Sequence, residues 1–259
     1  MTNQELNQLL ETYLRPLTFP VAVKLSPEPE IPEGFRRPEK LFGHRLNICQ
    51  GVNLARRYGW AMGFLEQDMA CPLSIPIFGL RADPDFVTRG EHIHPDFTAT
   101  LEQAARTQAA QPKAPLGSIA AILVAPLSKA EFEPDLVLVY GNAAQVVRLV
   151  QGALYYHGGA LQSSFSGRCA CAQEFIHPHL TGRCNVIIPA QGERLFAMTA
   201  DDELCFALPR PEFDNLADGL ATTHKRGVSR VPTPFFAQRM EPRFPPRYAE
   251  LERYCGIKD

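Results

Sequence analysis

Apolar residues in this chain come in short runs. Ile119-Ala-Ala-Ile-Leu-Val-Ala125 and Leu136-Val-Leu-Val-Tyr140 are the purest of them. Both have the length and aliphatic content of strands buried on two faces. Neither approaches the roughly 20 residues that a bilayer-spanning helix needs, so no membrane role is expected. Similar runs at Val21–Leu25, Trp60–Phe64, Asn185–Pro189, Leu195–Met198 and Leu204–Leu208 predict further strands. Helical spacing of apolar residues predicts helices near the N-terminus (Leu6, Leu9, Leu10, Tyr13, Leu14, stopped by Pro16), at 49–58, 98–110, 143–156 and 211–222, and a last turn or two at 247–254. The expected class is α/β or α+β, with mixed sheets and helices.

The 259 residues include 45% apolar and 21% charged types, enough to bury a core. A net charge of −2 with no Lys/Arg run removes the electrostatic footprint of a nucleic-acid binder. The start, Met1-Thr-Asn-Gln-Glu-Leu6, lacks the basic and apolar regions of a signal peptide, and a cytoplasmic location is expected. Seven irregularly spaced cysteines suit reduced thiols used for metal binding or catalysis better than a disulfide framework. The polar stretch 81–117 reads as a connector or as a lid. One two-lobed unit over 1–222 is expected. A proline-rich tail over 223–259 would wrap the surface or join copies into a homo-oligomer.

The two halves share an order of features, about 17–80 against 132–209. Pro20–Leu25 parallels Pro134–Val139. Cys49 opens a segment ending at Gly59, and Cys171 opens one ending at Gly182. Strands follow at Ala61–Leu65 and Asn185–Pro189, then Cys71-Pro72 against Ala190-Gln191-Gly192, then Ile75–Leu80 against Leu204–Leu208. A duplication of this kind would bring Cys49, Cys71 and Cys171 to one centre, with Ala190 on the fourth side.

Pro20-Val-Ala-Val-Lys24, Phe132–Asn142, Gln145–Gln151, Ser163-Ser-Phe-Ser-Gly-Arg168, Leu180-Thr-Gly182 and Asp201–Pro209, taken in order, resemble the family called domain of unknown function 169. The resemblance spans roughly residues 5–222 and implies no reaction. It implies cysteines at the positions of Cys49, Cys71 and Cys171. It also implies, in many members, one just before the glycine matching Gly192, where this chain has Ala190.

Soft thiolates suit iron–sulfur clusters and zinc, so Cys49, Cys71 and Cys171 are the expected metal ligands. A four-iron cluster with an open position is expected foremost, with zinc or no metal as the alternatives. A dipole at a helix start would lower a thiol's pKa. Cys169 is an alternative to Cys171, or a spare redox thiol; Cys184 is a weaker candidate, and Cys205 and Cys255 read as structural. His177 and His179, or His92 and His94, are candidate extra ligands. Asn142 and Arg148, near the end of a strand, and Arg168, in a hydroxyl-rich loop, are the expected substrate contacts. Asp201–Glu203 is a candidate polar wall. The expected partner is a small-molecule substrate or a redox partner. The rival expectation is a metal-free small-ligand or redox-sensing module.

Overall fold

The computed structural model describes residues 1–231 and 244–257. In chain order its elements are α1 (Asn3–Tyr13), β1 (Val21–Ser26), α2 (Pro38–Phe42), α3 (Ile48–Tyr58), β2 (Met62–Phe64), α4 (Ser74–Ile77), α5 (Asp85–Thr88), α6 (Leu101–Ala109), β3 (Ala121–Pro126), β4 (Leu136–Gly141), α7 (Ala143–His157), α8 (His177–Thr181), β5 (Asn185–Ile187), α9 (Gln191–Phe196), β6 (Leu204–Pro209), α10 (Phe213–Lys225) and α11 (Tyr248–Tyr254). A π-helical turn, Ala172–Ile176, leads into α8.

The six strands form one sheet in the order β2-β3-β1-β4-β6-β5. Every pair of these strands is antiparallel, so the mixture of strands and helices is α+β, and the mixed sheets allowed by the sequence resolve into an antiparallel one. β1 and β4 meet at the centre, with Val21 opposite Leu138 and Val23 opposite Leu136. The strands of residues 21–126 lie on one side of that seam and those of 136–209 on the other.

Alternation along each strand makes two cores. Val21, Val23, Leu136, Leu138, Tyr140, Cys205 and Ala207 face one side, against α3, Phe78 and the π-helical turn. Ala22, Val137, Val139, Phe206 and Leu208 face the other, against α1, α7 and α10. Fully burying one such aliphatic side chain is worth about 1.5–3 kcal/mol, so both faces of the sheet contribute to holding it.

Local signals set the helix ends. Thr2 caps α1 by accepting from Glu5 N at 3.2 Å, while its own N–H donates to Glu5 at 2.7 Å. Gly59 ends α3 and Gly182 ends α8, both in the left-handed region. Helices α7 and α10 touch through glycines: a Cβ on Gly219 would lie 2.1 Å from the Gly152 carbonyl oxygen.

Three expectations change. Residues 75–80, paralleled in the sequence with Leu204–Leu208, do not form a strand as those do; Ser74–Ile77 is a helical turn, because Pro76 has no N–H to give a ladder. Beside β1, the third strand of the first half is instead β3. Leu195–Met198 is not a strand: Leu195 and Phe196 end α9, whose start is held by Ala190 N donating to Glu193 Oε2 at 2.8 Å. The helix expected over 211–222 runs on to Lys225, with Thr223 buried, so the first residues assigned to the tail belong to α10. Most of the tail's prolines lie at 232–243, outside the described residues, and so does the oligomer contact expected of them.

Candidate functional site: a cysteine-lined pocket

Three segments remote in sequence converge beside the first core. Cys49 sits in the first turn of α3, after the cap at Asn47. Cys71 lies on the loop between β2 and α4. Cys169 and Cys171 precede the π-helical turn. All four cysteines line one cavity of about 360 Å³, together with Ala190, Arg168 and Glu193. Its outer wall is apolar and exposed, formed by Phe97, Leu195 and Phe196. Phe97 belongs to the 81–117 stretch, so that connector forms part of the site wall.

All seven cysteines are free. Burial, followed by the nearby Glu193, Glu174 and Cys71, pushes the Cys49 thiol up to about 12. This reverses the lowering expected from its helix start: loss of water outweighs the helix dipole. Burial, then Cys169 and Cys71, holds Cys171 well above the usual thiol range. Cys169 is raised by burial against the opposing effect of Arg168. Among the described residues, no group of three or more His, Cys, Asp or Glu side chains is arranged to hold a metal ion. The three expected ligands therefore share a pocket without forming a ready ligand set.

Below the cysteines lies a polar cluster that sequence reasoning missed. Tyr140, on β4, donates to Glu174 Oε1 at 2.9 Å and lies 3.3 Å from Glu193 Oε1. Burial, then the charge of Glu193, drives Glu174 well above the ordinary carboxylate range, and burial also raises Glu193. Two carboxyls this close in an apolar setting cannot both ionise cheaply. The Arg56 guanidinium lies 4.2 Å over the Tyr140 ring and donates two hydrogen bonds to Glu203, at 2.7 and 2.9 Å. The one sequence signal for Glu193 was its place three residues after Ala190, the spacing of a helix cap. Glu174 had none, since a π-helical turn leaves no periodic mark.

Among the expected substrate contacts, only Arg168 reaches the pocket. Asn142 instead caps α7, accepting from Gln145 N at 3.0 Å. Arg148 is fully buried on the opposite core and donates to Thr223 Oγ1 and Leu220 O, both at 2.6 Å. A position just after a strand placed both on α7, but the helix turns them away from the cysteines. His177 and Cys184 line a separate polar cavity with His157 and Glu212, and His179 is exposed. His92 and His94 do not line the cysteine pocket. Asp201 pairs with Arg194 at 3.2 Å and Glu203 with Arg56 and Arg57, so this wall is a set of ion pairs. Cys205 is buried in β6, as its apolar setting predicts; Cys255 is exposed at the end of α11.

No helix among the described residues is long and apolar enough to cross a membrane. No solved structure matches this chain. An uncharacterised protein of Methanocaldococcus jannaschii is 27% identical over 204 residues, covering 77% of this chain and 85% of that protein. The family model described as uncharacterised ArCR, domain of unknown function 169, matches residues 9–219, a span that contains the whole wall of the cysteine pocket. The chain belongs to the domain of unknown function 169 family.

Proposed function

We propose that the pocket is a metal site, held by Cys49, Cys71 and Cys171, that carries a four-iron iron–sulfur cluster with an open position on the Ala190 side and acts on a small molecule. The observation that carries this is the convergence of cysteines from three remote segments on one cavity. The soft sulfur donors suit the group by chemistry, although among the described residues they are not arranged as a ready ligand set: a buried thiol that water cannot stabilise as a thiolate gains most from a metal's positive charge. When bound, such a cluster supplies redox or Lewis-acid chemistry. The protein's own residues do the rest. Arg168 holds an anionic group, Phe97, Leu195 and Phe196 offer an apolar wall, and Glu174 and Glu193 keep a proton close to Cys49. Free thiols throughout fit a reducing, cytoplasmic setting.

The same proposal takes the two halves as a duplicated unit. The order β2-β3-β1 on one side of the seam and β5-β6-β4 on the other supports it. So does the presence of both Cys71, after β2, and Ala190, after β5, in the pocket wall.

Anaerobic reconstitution with iron and sulfide, followed by iron analysis, tests the metal reading. A brown protein whose iron falls in each of C49S, C71S and C171S is expected, and Ala190→Cys should protect the cluster while blocking added ligands. A colourless, iron-free product that also takes up no zinc would leave the second reading. That reading is a metal-free small-ligand or redox-sensing module. It is favoured by the raised thiols of Cys49 and Cys171 and by the lack of a ready ligand set among the described residues. It predicts that the serine variants change only stability, by about 1–3 kcal/mol.

A further inference from the structure

Most cations near the pocket are committed. Arg56 and Arg57 bind Glu203, Arg194 binds Asp201, and Lys113 binds Asp83. Arg168 is the exception. Its guanidinium has no carboxylate and no hydrogen-bond partner among the described residues; it lies 4.8 Å over the ring of Phe97. The backbone presents it on a short, clamped turn. Gly167 and Cys169, on either side, both have positive φ, +71° and +49°. Ser166 Oγ donates to Arg168 O at 3.0 Å and accepts from Arg168 N at 3.4 Å, while Gln111 donates to the same hydroxyl. A non-glycine residue held at positive φ is uncommon, and here it fixes where the preceding cation stands.

The charges around that cation leave room for an anion. Among the described residues, the one acidic residue lining the pocket, Glu193, accepts from Ala190 N at 2.8 Å and from Tyr140 at 3.3 Å and does not pair with Arg168. His92 also faces Arg168, and burial, followed by Arg168 itself, lowers its pKa. Beside this half-buried cation stands an apolar wall: Phe97, Leu195 and Phe196 are 54%, 66% and 54% exposed. No described residue covers these side chains.

We propose that the pocket's ligand is a small amphipathic anion, its carboxylate, sulfonate or phosphate on Arg168 and its apolar body against Phe97, Leu195 and Phe196. The proposal deepens the proposed function by naming the class of molecule, and it rests on the pocket being a ligand site but not on a metal being present. Charge-assisted contacts to a guanidinium fix such a group, and the apolar wall accepts the remainder. The volume, about 360 Å³, admits a molecule of up to three aromatic rings.

Two dyes sharing one ring system test it on the reduced, chelator-treated full chain: 8-anilinonaphthalene-1-sulfonate, and the same amine without its sulfonate, N-phenyl-1-naphthylamine. Fluorescence titration should show the sulfonate binding about tenfold more tightly. Arg168→Met should abolish that preference and leave the neutral dye unchanged, and Arg168→Lys should keep part of it. Leu195→Ser, at an exposed position, should weaken both dyes by about threefold or more and so place them at this wall. In the native protein, added salt should weaken the sulfonate alone, a readout that needs no variant to fold. Equal binding of the two dyes, no saturable binding, or a preference that survives Arg168→Met would overturn the proposal. A protein that takes up iron yet ignores the sulfonate would fail here alone, and one that stays iron-free yet prefers the sulfonate would fail only the metal reading.

Discussion

The two faces of the sheet each bury an arginine almost completely, and they do so in opposite ways. On the cysteine side, Arg56 meets a full negative charge, with both carboxylate oxygens of Glu203 taken and a phenol ring beneath it. On the other side, Arg148 has, among the described residues, only a hydroxyl and a carbonyl, and no described partner for its Nε. Burial accordingly lowers the pKa of Arg148, whereas Arg56, although burial opposes it, is raised by its bonds to Glu203. The comparison separates a face that gathers charges around a cavity from a face that packs helices and merely tolerates one.

The sharpest break of that contrast is Arg56→Met. It removes one member of a largely buried pair, leaves Glu203 at 15% exposure without its main partner, and should cost about 3–5 kcal/mol in urea unfolding. A loss under 1 kcal/mol would mean that Arg57 replaces it, and that this face is no more electrostatically organised than the other. Acid sharpens the test. Burial raises Glu203, but its bonds to Arg56 and Ala200 outweigh this and leave its pKa lowered. Its contribution is therefore present above the unfolded carboxylate value and is lost as pH falls through the folded one.

Glu174→Gln probes the opposite sign on the same face. Glu174 is raised, so its contribution is full below the unfolded carboxylate value of 4.5 and is lost as pH rises through the folded value. The amide should cost about 1 kcal/mol in acid, from a weakened bond to Tyr140. Its deficit should then shrink and reverse as pH rises. Paired urea melts at several pH values measure this, and a difference that stays constant with pH would refute a protonated Glu174.

Arg148→Met should have the smallest effect, within about 1 kcal/mol of zero and of either sign. It trades a desolvated cation with neutral partners for an apolar chain of similar reach. The hydroxyl of Thr223 keeps its own bond to Gly219 O, at 2.6 Å. Thermal unfolding would decide this, and a cost near that of Arg56→Met would erase the distinction between the two faces.

Much of this architecture was written locally. The buried runs at β3 and β4 and the glycine stops at Gly59 and Gly182 are short-range signals, and they led to the right elements. Where the signal was ambiguous it failed. Leu195–Met198 looks apolar enough for a strand, but a carboxylate three residues past Ala190 makes it the end of α9. Arg148 and Arg168 were equally plausible anion contacts in the chain; only packing shows that one is enclosed by α7 and α10 while the other stands free at a cavity.

The sequence alone determined that this chain builds short buried strands with helices, and that Cys49, Cys71, Cys169 and Cys171 fall where helices start and loops turn. Those properties depend on side-chain periodicity and backbone preference within a few residues. The tertiary structure decided that these cysteines share one cavity, that Glu174 and Glu193 meet beneath it, and that Arg168 is left without a counter-charge among the described residues. Burial and charge pairing depend on which residues meet across more than a hundred positions, as Arg56 and Glu203 do. No local pattern encodes that meeting, because it is the antiparallel closure of β1 on β4 that joins the two halves.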